Sequence, residues 1–471
     1  MIMKRIDFLA AILVFMPLFG SPAMAQFRTV EADRADTAAT FSVDSVGAYI
    51  AYPWTLERCI EYARENNLTV KSQEIAKKSS EEDLLESKAA YYPTLNFSTS
   101  GSASFQNTST YNEYDEATGK TSFSGSIGLN SGMTLYKGGR IRNTIKKAEA
   151  GYKASGWDLE QSKFDIEAEV ISDYLQILYD NESLNLKIQN EKLSSMEVER
   201  AKTMCEAGSI SKADLAQLQS TNASDKYDIV SARNSLSAAK LNLKQLLQLG
   251  MDSSFEVEFP TISDKDVMTS IPDLKTVYEN ALGNLPSMKS AVLSVDAADL
   301  SVKIAKGAFL PTVSLSAGIN TGAYSGTGVT FIDQLNNKLG ESVGLSISVP
   351  ILNGREYKTS YNKAVLSAGQ ARITEEQDRN QLLSTLESLR NDAVSARSQY
   401  LASTEQLDAQ KISYEMVSEQ FNAGLKNTVE LITEKNSLLS AQSKQLQAKY
   451  QAVLSMKLLD MYMNLEQSKT E

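Results

Sequence analysis

The chain repeats itself at long range, and this limits what it can fold into more than any other feature. Ala-Tyr-Tyr-Pro-Thr over Ala90–Thr94 returns as Ala-Phe-Leu-Pro-Thr over Ala308–Thr312. Glu206-Ala207-Gly208 returns as Asn422-Ala423-Gly424, and Gly139-Arg140 returns as Gly354-Arg355. The offsets (308 − 90, 422 − 206 and 354 − 139) are 218, 216 and 215 residues, so the register holds with only small insertions. A unit of this length exceeds the roughly 20–50 residues of a solenoid repeat and predicts two similar halves packed together. Each half is expected to carry a helix, a strand pair and then two long helices.

The strand pairs show in the alternation. Leu95, Phe97, Thr99, Gly101, Ala103 and Phe105 alternate with Asn and Ser, and alternation resumes from Phe123 through Leu129 to Leu135. In the second half, Val313 to Ile319 and Val343 to Val349 alternate in the same way. Such strands have one apolar face and one of small polar residues. Their length matches the roughly 9–11 residues of a membrane-spanning β-strand, and apolar outside with polar inside is the pattern of an outer-membrane barrel.

The helices are the other component. The first is expected to start at Trp54, capped by Thr55, and to run to about Tyr92, where Pro93 ends it. After the first strand pair a Pro-free stretch from about Arg140 to Cys205 is interrupted only by Gly151 and Gly156. It turns at Gly208–Ser211 and returns along Ala213–Leu249. The second half runs from about Arg355 to Phe421, turns at Ala423–Asn427 and returns along Val429–Leu465. Ile229, Leu236 and Leu243 lie seven apart, as do Ile432, Leu439, Leu446 and Val453, which predicts coiled-coil packing.

The ends and the composition set the compartment. Lys4 and Arg5, the apolar Ile6–Leu18 and the small residues Ala23 and Ala25 read as a secretory signal peptide over residues 1–25. Its removal takes away Lys4, Arg5 and Asp7 and moves the net charge from −11 to −12. That acidity argues against nucleic-acid binding. The remainder divides into an extended segment (26–53), a first repeat (54–250), a linker (251–271) with a short strand at Phe255–Phe259, a second repeat (272–466) and a tail (467–471). The two cysteines, Cys59 and Cys205, are expected as free thiols far apart, and histidine is absent. No phosphate-binding loop, nucleophile elbow or CxxC occurs, so no enzyme, cofactor or metal centre is expected.

Four strands cannot close a barrel, since the smallest membrane barrels have about eight. An open edge in lipid leaves backbone groups unpaired at a cost of several kcal/mol each. Two copies would give eight strands and a filled interior, and three would give twelve with room for a passage. The small Ser, Gly and Asn residues on the polar face favour three.

The chain resembles the TolC-like outer membrane efflux proteins over essentially all of its mature length. The resemblance rests on Thr55-Leu56-Glu57 with Ala63 and Asn66-Asn67, on Pro93 and Pro311 at the strand starts, on Leu135-Tyr136-Lys137-Gly138-Gly139, and on the two Ala-Gly turns. It implies an α+β membrane protein, a homotrimer whose twelve-stranded β-barrel in outer membrane lipid is continued by a periplasmic α-helical barrel. It also implies no catalysis and no cofactor. The function implied is export of small molecules or proteins, coupled through a periplasmic adaptor protein to an inner-membrane pump.

The resemblance further implies a periplasmic gate at the helical turns. Asp214, six after Gly208, matches the gate Asp of the first repeat, and Lys426, two after Gly424, matches the gate Arg of the second. Phe421 stands where the family carries a Tyr, so one gate hydrogen bond is expected to be missing. Glu430 matches the first residue of an acidic ring. Thr433 occupies the next ring position, with Glu434 beside it. Gly208 and Gly424 mark the turns for adaptor contact. The competing readings are a structural coiled-coil envelope protein without channel activity, a metal-export channel and a periplasmic enzyme. The lack of His and of clustered Cys or Met speaks against a soft-metal pathway.

Overall fold

The computed structural model describes residues 53–105, 110–111, 117–118, 121–250, 255–325 and 329–465. The expected signal peptide, nearly all of the 26–53 segment and the 467–471 tail lie outside the described residues.

Helix α1 spans Leu56–Asn66, and Thr55 caps it by accepting from the Arg58 N–H at 3.2 Å. The single helix expected from there to Tyr92 is in fact two. Asn67 leaves the helical region (φ −62°, ψ 134°), accepts from the Thr69 N–H at 2.8 Å and starts α2, Leu68–Ala89. The second repeat breaks at the matching point, where Leu285 (φ −61°, ψ 127°) separates α6 (Leu274–Asn284) from α7 (Pro286–Gly307). There a proline at the first helical position explains the break. In the first repeat a capping Asn does the same work without one, so periodicity alone ran through it.

Four strands follow the alternation. β1 (Thr94–Phe105), β4 (Thr121–Lys137), β5 (Thr312–Tyr324) and β6 (Gly340–Ser348) form one antiparallel sheet in the order β1-β4-β5-β6. β2 (Thr110–Tyr111) and β3 (Ala117–Thr118) make a small ladder in the first hairpin loop. The register puts Phe97, Leu129 and Ile319 on one face and Asn96, Asn130, Gly318 and Ser342 on the other. Ser100 pairs with Ser126 and Ser102 with Ser124 across the polar face, each at 2.7 Å. The alternation does not reach Leu135 as expected. A bulge between Thr134 and Tyr136 sets Tyr136 opposite Val313, so the tyrosine joins the apolar face. Among the described residues nothing pairs with the outer edge of β1 or of β6. A further helix, α8 (Phe331–Asn337), lies in the second hairpin loop, where the sequence suggested nothing regular.

The two longest helices, α3 (Arg140–Glu206) and α9 (Glu356–Asn422), have 67 residues each, roughly 100 Å at 1.5 Å per residue. α3 runs unbroken through Gly151 and Gly156. The structure corrects the register at the helix starts. Gly138 and Gly354 share φ near +60° (59° and 58°), and Gly139 and Arg355 share φ near +70° (72° and 73°). Gly354 therefore matches Gly138, and the offset there is 216 (354 − 138), the same as between Gly208 and Gly424. Before the hairpins it is 218, from α1 to α6 (274 − 56) and from β1 to β5 (312 − 94). The two-residue difference thus falls inside the hairpins.

The return helices are α4 (Lys212–Leu246) and α10 (Thr428–Met463). The main core lies where α1 meets the middle of α3. Cys59, Ala63, Val170, Tyr174, Leu243 and Val453 are all buried there. Burial, opposed by the nearby Arg58 charge, pushes the Cys59 thiol up to about 12, and both cysteines are free thiols. The linker is tied in by the Tyr174 hydroxyl, which donates to the Glu258 carbonyl at 2.8 Å. The strand expected at Phe255–Phe259 is one parallel bridge, Trp54 to Val257. A short helix, α5 (Asp264–Val267), completes the linker. A second core fills the far ends of the long helices. Toward that end the buried stripe of α10 drifts one residue from the seven-spaced positions, to Leu431, Lys435 and Leu438, while Ile432 and Leu439 stay half-buried. A straight helix drifts in this way against a 3.5-residue repeat. Among the described residues, no helix is long and apolar enough to cross a membrane.

Candidate functional site

The α3–α4 and α9–α10 turns are built alike. Each closes on a glycine in the left-handed region, Gly208 (φ 75°) and Gly424 (φ 72°). The Ser209 N–H donates to the Met204 carbonyl and the Leu425 N–H to the Gln420 carbonyl, both at 2.8 Å, the pattern of a Schellman turn. Each return helix then starts with a capping box. In the first, Ser211 Oγ accepts from the Asp214 N–H at 3.1 Å, and the Ser211 N–H donates back to Asp214 Oδ2 at 3.3 Å. In the second, Asn427 Oδ1 accepts from the Glu430 N–H at 2.9 Å, and the Asn427 N–H donates to Glu430 Oε2 at 3.1 Å. Asp214 and Glu430 are therefore the same position in the two repeats, and their first task is to cap.

Their further bonds differ. The Ser211 hydroxyl donates to Asp214 Oδ2 at 2.7 Å, and hydrogen bonding, from Ser211 first and from the neighbouring Thr428 next, holds the Asp214 pKa below the usual carboxylate value. Thr428 opens α10, so Asp214 lies beside the start of the other return helix. Glu430 is held low by the hydrogen bond from Lys426 and by the Asn427 N–H. Lys426 pairs with Glu430 within its own turn. The turns are linked by Arg200 Nη1, which donates to Asn422 Oδ1 at 2.7 Å. Glu434 is turned toward α9, where it accepts from Gln410 and from Ser413 Oγ at 3.1 Å. Phe421 is buried against the tip core with Leu218, Tyr414 and Leu431.

Beneath the turns lies a group that sequence reasoning missed. Lys435 is fully buried on α10. Its Nζ lies 3.0 Å from Asp225 Oδ2 on α4 and 3.4 Å from Glu197 Oε2 on α3. The Tyr414 hydroxyl on α9 donates to the other Glu197 oxygen. Burial first, and the Glu197 carboxylate second, push the Tyr414 phenol well above its ordinary value. One residue from each long helix thus meets in a closed polar cluster. The available signal was a Lys between Leu431 and Leu438 in an otherwise apolar stripe, because a single charged residue on a helix seam fixes register at a cost in stability. The acidic partners, on other helices, carried no local mark.

Among the described residues, no group of three or more His, Cys, Asp or Glu is placed to hold a metal ion.

The model of the outer membrane efflux protein family matches the chain in two segments, residues 59–248 and 277–464. The outer membrane efflux protein BepC of Brucella suis is 21% identical over 409 residues, which cover 85% of this chain and 83% of that protein. The toxin and drug export protein A of Aggregatibacter actinomycetemcomitans is 23% identical, covering 71% of each. The crystal structure of the outer membrane protein VceC of Vibrio cholerae shares the fold, with a TM-score of 0.72 at 17% identity over 87% of this chain and 95% of that one. A family model that matches both repeats over well more than half of the sequence decides the matter: the chain belongs to the outer membrane efflux protein family.

Proposed function

We propose that the protein is the exit duct of a tripartite efflux or type I secretion system, closed as a homotrimer in the outer membrane. The observation that carries this is the sheet. It has one apolar and one small-polar face, and both of its outer edges are free among the described residues. Three copies edge to edge give twelve strands, with the apolar face toward lipid and the polar face around a passage. The long helices continue that passage into the periplasm, where the turns meet a periplasmic adaptor coupled to an inner-membrane pump. A relative named for toxin and drug export supports cargo that includes small molecules and proteins, selected by the pump.

On this reading the duplicated segments 54–250 and 272–466 are the two structural repeats, and the turns at Gly208 and Gly424 are the entrance. Asp214 caps the first return helix beside the second turn, and Phe421 anchors the second turn from below. The Lys426–Glu430 pairs ring the opening, while Glu434 is engaged with α9. Purified protein in a planar bilayer is expected to conduct. Asp214→Ala should raise basal conductance by loosening the first turn, and Glu430→Gln should weaken block by multivalent cations from the helical side. Absence of conductance by the intact trimer would overturn the channel reading.

A further inference from the structure

Strands β5 and β6 do not end together. β5 continues to Tyr324, but its pairing with β6 stops at Asn320–Gly340. Over Thr321–Tyr324 the edge of β5 that would face β6 has no strand beside it, which leaves a notch in the sheet. Helix α8 fills it. Gln334, buried, places its side-chain amide where a strand would be. Its Nε2 donates to the Tyr324 carbonyl and its Oε1 accepts from the Tyr324 N–H, both at 2.9 Å. The Thr321 hydroxyl donates to the Leu335 carbonyl at 2.5 Å. Phe331 lies over Gly125, where an added Cβ would meet its ring at 3.6 Å, and Ala323 is fully covered.

The face on which α8 sits is informative. Gly125, Thr321 and Ala323 all belong to the face of Phe97, Leu129 and Ile319, the apolar one. α8 therefore lies on the outside of the sheet, not over the polar face. Its sides differ. At 100° per residue, Phe331, Leu335 and Ile332 follow one another around one flank, and Asn336, Asp333 and Asn337 around the other; Leu339 comes just after the helix ends. Ile332 is 69% exposed and Leu339 47% exposed. Directly below, the outward residue of β6 level with Ile319 is Glu341, and only beyond it do Val343, Leu345 and Ile347 begin. A carboxylate on the outer face is cheap at a membrane boundary and costly at its centre, so Glu341 marks the boundary and α8 lies at its level.

We infer that α8 is an interfacial helix that closes the notch between β5 and β6 and binds the outer-leaflet lipid surface, with Ile332 and Leu339 among the acyl-chain ends and Asp333 and Asn336 in water. An amphipathic helix lies in the interface plane in this way, and the closed notch spares the β5 edge from facing hydrocarbon unpaired. The inference rests on the membrane-barrel reading above, and the test separates the two. Ile332→Trp, Asp333→Trp and Leu345→Trp are each placed in the full chain and reconstituted in vesicles of phosphatidylcholine with or without brominated acyl chains. The native Trp54 and Trp157, both in the helical part, supply the background measured on the parent. Leu345→Trp reports on bare sheet. The expected result is loss of the added emission in brominated lipid for Ile332→Trp and Leu345→Trp, and no loss for Asp333→Trp. Quenching at Leu345 without quenching at Ile332, or quenching at all three, overturns the interfacial helix and leaves the barrel standing. No quenching at Leu345 overturns the barrel, and the inference with it.

Discussion

Lys435 is fully buried, with two carboxylates within 3.4 Å. A buried ion pair adds little net stability, because desolvation offsets the attraction, but removing one partner leaves the other charge stranded. Lys435→Met should therefore destabilise the tip by about 3–5 kcal/mol, read as a lowered unfolding midpoint in detergent. Adding Glu197→Gln and Asp225→Asn to that variant should recover part of the loss, since no net charge is then buried. If Lys435→Met is neutral, the cluster is solvated and the burial argument fails. The same residue shows the reach of sequence reading. Both turns and the positions of Asp214 and Glu430 could be counted from Gly208 and Gly424, because glycine is needed where φ is positive. The bonds could not, since they depend on which helix faces which. Lys426 reached its own Glu430, and Asp214 came to lie beside Thr428.

At the scale of elements, most of the pattern was legible because it is physical and local. Proline after a helix, alternation in strands and glycine at turns each left a mark, and the long helices ended within three residues of expectation. The break at Asn67, the bulge before Tyr136 and α8 were not legible, because a capping Asn, an irregular pairing of β4 with β5 and the fit of Gln334 to the open edge of β5 leave no periodic mark. The helix starts show how closely the repeats correspond. Arg355 holds φ 73° where the first repeat has Gly139 at 72°, a conformation that costs a side-chain-bearing residue roughly 1–2 kcal/mol. Arg355→Gly should stabilise the protein by about 1 kcal/mol and Gly139→Ala should destabilise it by a similar amount, both read from thermal midpoints. Equal effects of the same sign would refute the match. The capping boxes carry a pH dependence. Asp214 and Glu430 are both held below their ordinary values, so their contribution is complete above about pH 4–5 and is lost as pH falls through the lowered values. The midpoint should drop on acidification below about pH 4, and the Asp214→Asn/Glu430→Gln variant should start lower and drop less.

For the whole molecule, the membrane barrel proposed above sets a length that the bilayer has to match. Along β5 the bare apolar face runs from Val313, level with Tyr136, to Ile319, level with Glu341. On β5 a tyrosine and a carboxylate thus bound six steps of strand (319 − 313), about 20 Å at 3.3 Å each before any tilt, while on β1 and β4 the apolar face continues to Phe105 and Phe123. The span on β5 is thin against a typical hydrocarbon core of roughly 30 Å, and the bacterial outer membrane is thinner than average. Hydrophobic mismatch then becomes a sorting rule written into strand length. The assembled protein should be most heat-resistant in short-chain lipid and lose stability steadily as acyl chains lengthen, a trend that thermal scans across a lipid series would measure. A thick bilayer would have to thin around it, so the short reach of β6 selects the membrane in which the protein is at rest.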